Sequence, residues 1–233
     1  MKSRNLYDAI YNRRSIRNFS SDPIPGDALQ RIVESARWAP SGGNSQPWQF
    51  GVVREEQRKT ALAEAAGGQI WIAEAPVVIA LCCPLQRQEQ FGEASQKVNR
   101  MRWGEQMSDW MTQCPDEYGV SLLLNNAAPH IPGAHIQLAA QAEGIGSCWI
   151  GYLDIDRASE ILQLPHDWRC YYLIPLGYPD GSTQPPPRKP PVGDNICRAA
   201  SRKHLPENDI NDSPAHQPGR HQHSVQKILP GTP

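Results

Sequence analysis

Residues 77–82 read Val-Val-Ile-Ala-Leu-Cys, with no polar side chain and three β-branched residues in a row. A strand with one wet face alternates apolar and polar residues, whereas a run apolar at every position needs cover on both faces. The segment therefore reads as a central strand between two packing layers. Residues 170–176 form a second apolar strand, closed by Gly177, Pro179 and Gly181. Residues 48–53 and 148–152 read as two more strands. Leu29, Ile32, Val33 and Ala36 recur at helical spacing and predict an amphipathic helix, which Pro40 and the glycines at 42 and 43 end. Shorter helices are expected over 6–13, 55–66, 134–142 and 157–162. Pro132 suits the first turn of a helix but not its interior. Residues 84–120 show little period and read as helix and loop, a candidate lid.

The 233 residues fit one domain over 1–198 and a polar tail over 199–233. The tail holds too little apolar surface to offset its ordering entropy and is expected to be disordered. A net charge of −1 provides no broad basic field for nucleic acid. The apolar run 75–83 is too short to span a bilayer, and residues 1–20 lack an apolar signal core. The six cysteines form no CxxC pair, which suits free thiols in a reducing cytoplasm and provides no zinc-ligand spacing.

Against this neutral background, Arg13, Arg14, Ser15 and Arg17 are a local site feature. Three guanidiniums and a hydroxyl within five positions suit a phosphate, because arginine offers paired, permanently charged donors. The loop Pro40-Ser41-Gly42-Gly43-Asn44-Ser45-Gln46-Pro47-Trp48 can present amides, a hydroxyl and backbone N–H groups to a flat polar ligand. Together they suggest a phosphorylated cofactor. The plainer alternatives are a solvated helix end, with the arginines paired to Asp8 or Asp22, and an ordinary connection with Trp48 in the core. Trp103 and Trp110 read as core or interface anchors, and His130 and His135 as structural. The glycines at 144, 146 and 151 lack the spacing of a dinucleotide fingerprint.

The order of motifs is more specific than any one of them. Arg-Arg-Ser-x-Arg is followed by the Pro-Ser-x-x-Asn-x-Gln-Pro-Trp loop. Gly-Ile-Gly-Ser-Cys-Trp-Ile-Gly comes at 144–151, Pro-Leu-Gly-Tyr-Pro at 175–179, and Arg188-Lys189 after three prolines. From residue 6 to about 195 this set resembles the nitroreductase family of flavin enzymes. The resemblance implies an α+β fold, a mostly antiparallel sheet flanked by helices, and an intertwined homodimer with FMN at the interface. It places Arg13, Arg14, Ser15 and Arg17 near the FMN phosphate and ribityl chain, with Arg17 also a candidate for the pyrimidine edge and Arg188 closing the phosphate site. Pro40, Ser41 and Asn44 would come from the other subunit, with Gln46 nearby. The N–H groups of Ile150 and Gly151 would face the flavin ring, and Gln69 is a further candidate for the ring or ribityl chain.

The implied activity is ping-pong hydride transfer from NADH or NADPH to a small electron acceptor such as a nitroaromatic or quinone, in the cytoplasm, with no nucleic-acid or membrane partner. No side chain is assigned as catalytic, because the cofactor carries the chemistry. Other redox tasks on the same site (dehydrogenation, dehalogenation, flavin fragmentation), a flavin-binding protein without turnover, and a phosphate-binding module unrelated to flavin stay open.

Overall fold

A computed structural model describes residues 5–85 and 93–181. Its strands are β1 (Gln49–Val53), β2 (Val77–Pro84), β3 (Gly146–Ser147) and β4 (Trp168–Gly177). They form one sheet in the order β1-β2-β4-β3, and every neighbouring pair is antiparallel. The helices are α1 (Leu6–Asn12), α2 (Gly26–Arg37), α3 (Glu56–Ala65), α4 (Trp71–Glu74), α5 (Glu93–Trp103), α6 (Glu105–Gln113), α7 (Glu117–Asn125), α8 (His130–Ala142) and α9 (Ile155–Ile161). This is the expected α+β arrangement.

Strand β2 explains the layering. Val77, Ile79 and Leu81 pack with Leu29, Ile32 and Ala36 of α2 and Ile136 and Ala140 of α8. Val78, Ala80 and Cys82 pack on the other face with Leu62 and Ala63 of α3, Ile72 of α4 and Ala158 of α9. Alternate residues of a strand point to opposite faces, so one apolar run serves two cores. Pro132 lies in the first turn of α8, where a missing N–H costs no helical bond. All five cysteines among the described residues are free thiols. No helix among the described residues is long and apolar enough to cross a membrane.

The expected strand at 148–152 needs correction. Regular pairing stops at Ser147, and only single contacts continue it: Cys148 N–H to the Pro175 carbonyl, and Ile150 against Leu173. Proline at 175 has no N–H to return to Cys148, so the ladder breaks there. The expectation for 199–233, and part of that for 84–120, lie outside the described residues.

Helices α2 and α8 are also clasped at the surface. Arg31 donates from Nε and Nη2 to the two carboxylate oxygens of Glu143, at 2.7 and 2.9 Å, and from Nη1 to Asp27 at 2.9 Å. The hydrogen bond from Arg31 is the main cause holding both carboxyls below their ordinary values of 3.8 for Asp27 and 4.5 for Glu143. A carboxyl depressed in the folded state stabilises the fold above its unfolded pKa, and that contribution fades as pH falls through the folded one. Arg31→Gln is therefore expected to lower the melting temperature slightly at pH 7, with the difference from wild type closing as pH falls through the depressed pKa values of the two carboxyls. Thermal melts across that range check this.

Candidate functional site

The arginine-rich segment leaves α1 in extended conformation, and its first residue caps the helix through the Arg13 N–H to the Ala9 carbonyl. Ser15 then bridges Ser147, and the Ile16 N–H donates to the Ser147 carbonyl at 3.0 Å. Segment 13–17 thus runs along the outer side of β3. Gly146 permits the approach, since a Cβ there would lie 2.8 Å from Ile16. The docking sets Ser15 against Ser147 and brings Arg17 to the cavity that Cys148 lines. Burial raises the Cys148 thiol pKa, and Arg17, the Ser15 hydroxyl and Arg13 oppose that rise in that order. Arg14 differs: its Nη1 donates to the carbonyls of Tyr11 and Arg13, at 2.9 and 2.8 Å. That guanidinium is partly committed to the end of α1.

Beside the segment lies a cavity of ≈110 Å³. Arg17, Gln69 and Trp71 line it together with the strip Cys148, Trp149, Ile150, Gly151 and Tyr152. Four of the residues expected from the sequence, Arg17, Gln69, Ile150 and Gly151, meet there. The Gln69 amide donates to the Ala66 carbonyl at 2.7 Å, leaving its oxygen toward other partners. One expectation is corrected. The Ile150 N–H does not face the cavity as a free donor, because it bonds the Leu173 carbonyl at 2.9 Å. No bond from the Gly151 N–H is found among the described residues. A Cβ at Gly151 would meet only ordinary contacts, 3.7 Å to Tyr172 and 3.9 Å to Trp149. The chain's own packing does not demand glycine at 151, so the missing side chain leaves room for a ligand.

Sequence reading does not single out Trp71, Cys148, Trp149 or Tyr152 as site residues. Each sits within two positions of a residue that it does single out. Trp149 belongs to an aromatic cluster: its ring lies 5.4 Å from His130 and 4.7 Å from Tyr172, and the Tyr172 hydroxyl donates to Asn126. Gly133 of α8 makes this possible, since a Cβ there would meet the Trp149 ring at 2.3 Å and Leu81 at 2.8 Å. Gly133→Ala is therefore expected to cost about 1–2 kcal/mol net, overpacking outweighing the gain in helix propensity. Chemical denaturation measures it. His135 has a structural bond, its Nδ1 lying 3.0 Å from the Ser35 carbonyl. Trp103 and Trp110 are half exposed on α5 and α6, which removes the core reading and leaves the interface one open.

The loop before β1 is ordered by its own side chains. The Gln46 N–H donates to the Ser41 hydroxyl at 2.9 Å, and the Gln46 amide donates to Asn44 at 3.1 Å. Asn44 and Gln46 hold left-handed backbone, φ 55° and 45°. Trp48 is buried against Cys83 and Tyr171, as expected of a core residue. The loop, with Pro40, Ser41, Asn44 and Gln46, is not brought to the arginines of its own chain. Gln49 is in register with Cys82, whereas Ser147 is in register with Leu176 and Val77. Three strand spacings and five residues separate these corners, roughly 20 Å. Arg188 lies outside the described residues.

The nitroreductase family model matches residues 10–116 and 130–178. The chain belongs to the nitroreductase family. Among relatives of this nitroreductase-family chain is the NADH dehydrogenase of Thermus thermophilus, 33% identical over 199 residues, which span 78% of this chain and 90% of that one. Another is the FMN reductase (NADPH) of Bacillus subtilis, 26% identical, spanning 80% of this chain and 70% of that one. The crystal structure of a nitroreductase family protein from Streptococcus pneumoniae superposes with a TM-score of 0.63 at 25% identity, covering 84% of this chain and all of that one.

Proposed function

We propose that the protein is an FMN-dependent oxidoreductase that takes reducing equivalents from NADH or NADPH and passes them to nitroaromatics, quinones or related electron-poor small molecules. The observation that carries this reading is the docking of segment 13–17, through Ser15 and Arg17, against the strip 147–151 of a nitroreductase-family chain. The names of the Thermus and Bacillus relatives support a nicotinamide donor and a flavin. The residues present fit FMN. Arg13 and Ser15 offer a charge-assisted and a neutral donor for a phosphate. Gly151 leaves the space a Cβ would fill, and its N–H and Arg17 are donors for the electron-rich edge of a planar ring.

Bound FMN supplies the reversible uptake and release of hydride, which none of these side chains can perform. The chain's own residues bind and orient. Arg13, with Arg188 as a further candidate, would hold the phosphate. Gln69 would offer its amide oxygen to an N–H of the ring or to a ribityl hydroxyl. Cys148 and Ile150, 1% and 4% exposed, are packed into the second core and hold the strip in place from beneath.

A homodimer belongs to the same reading. Loop 40–48 and segment 13–17 lie at diagonal corners of the sheet, so both can serve one ligand only if Pro40, Ser41, Asn44 and Gln46 come from a second copy. The exposed Leu6, Tyr7, Ile10 and Tyr11 of α1 offer apolar surface for such an association. Anaerobic stopped-flow mixing of the FMN-loaded protein with NADH and with NADPH tests the proposal. Bleaching of the flavin bands, then recolouring by a quinone or nitroaromatic, is the expected result. A protein that stays colourless after FMN is added would overturn it. A yellow protein that neither nucleotide bleaches would point to flavin binding without turnover.

A further inference from the structure

The cation of Arg17 rests on an aromatic ring. Its Cζ stands 5.8 Å from the centre of the Trp71 ring, and no ion pair or hydrogen bond from its guanidinium is found among the described residues. The other arginines of the domain's surface clasps, Arg31, Arg37, Arg58, Arg157 and Arg169, all reach carboxylates. Arg17 therefore keeps its donors unspent while resting on an aromatic face, whose electron-rich centre attracts a cation.

The platform itself is fixed. Trp71 opens α4, a single turn that begins where the Ile72 N–H bonds the Gln69 carbonyl at 3.0 Å, and Ile72 is fully buried in the core below. The turn from α3 into α4 runs through Gly67 and Gly68, both with left-handed φ of 76° and 75°, which aims Gln69 and Trp71 at one cavity. Arg17, Gln69, Trp71 and Gly151 share that cavity; Arg13 and Ser15 do not line it.

We propose that Trp71 is a positioning residue, which holds the Arg17 guanidinium at the cavity rim so that it addresses the planar, carbonyl-bearing edge of the bound ring system and not the phosphate. The inference rests on the flavin reading above, which gives Arg13 the phosphate and Arg17 the ring edge, and adds Trp71 as the residue that holds Arg17 there.

Titration with two probes, FMN and riboflavin, which lacks the phosphate, tests this. Arg13→Ala should weaken FMN and leave riboflavin nearly unchanged. Arg17→Ala should weaken both by similar factors. Trp71→Leu should weaken both about two- to fivefold, the scale of one lost cation–π contact. In the Arg17→Ala background the same Trp71→Leu change should have no further effect, because the platform has nothing left to hold. Trp71→Phe should restore most of the affinity. Because a cation at the ring edge favours the reduced anion, Trp71→Leu should also move the flavin midpoint potential to more negative values, and Trp71→Phe should move it less.

Full additivity of the Trp71 and Arg17 changes, or a Trp71→Leu effect confined to FMN, would overturn the assignment even in an active flavoprotein. Failure of the wild-type protein to bind either probe would instead remove the flavin reading, and this inference with it.

Discussion

Arg13→Ala is expected to bind FMN ten- to a hundredfold more weakly than wild type while unfolding at nearly the same temperature. A charge-assisted contact to a phosphate is worth about 1.5–3 kcal/mol, which sets that range. The fold should tolerate the change, because Arg13 caps α1 through its backbone N–H, which alanine retains. No bond from the Arg13 side chain is found among the described residues, so its removal orphans no partner there. A thermal melt checks the fold, and fluorescence titration at two salt concentrations checks the binding: the loss should shrink as salt rises and screens the phosphate. Equal affinity in the two proteins would count against the phosphate assignment. Arg188→Ala is expected to behave alike, and the same titration decides whether that residue reaches the site.

Leu173→Ala should cost about 2–5 kcal/mol of stability, a larger loss than Gly133→Ala or Arg31→Gln should cause. Leu173 is fully buried in the second core, among Val78, Ala80, Ile150 and Ala158. It also exchanges backbone bonds with Ile150, donating at 3.3 Å and accepting at 2.9 Å. Truncation leaves a cavity beneath the strip that lines the candidate site, so loss of stability and loss of flavin affinity should appear together. A denaturant midpoint shifted by less than a conservative surface substitution shifts it would mean that this core collapses to fill the space. FMN titration below the unfolding transition separates the local effect from global unfolding. Arg13→Ala acts through a contact, whereas Leu173→Ala acts through the core beneath the strip.

The elements that are legible in the residue order share one property: their burial pattern is local. The apolar run at 77–82 is enough for a doubly covered strand, and the 29-32-33-36 spacing for α2, because each pattern reports a face that must leave water. The arginine segment and the glycine strip are legible as donors for the same reason that any cluster is: proximity along the chain. Trp71 is not. Its nearness to Arg17 depends on a left-handed glycine turn meeting a segment more than fifty residues earlier, and no local signal carries that. The engagement of the Ile150 N–H escapes the residue order for a similar reason. Whether a backbone donor is spent depends on which strand lies beside it, here the Leu173 carbonyl of β4.

What the amino-acid order determined by itself was therefore the inventory: two apolar strands, an amphipathic helix, a cationic segment, and a motif order that matches one family. Tertiary structure alone decided the order β1-β2-β4-β3, the docking of segment 13–17 against Ser147, and the separation of the 40–48 loop from the arginines of its own chain. Strand neighbours are chosen by pairing between distant segments, where the energy of burial and hydrogen bonding is gained only once both partners have arrived.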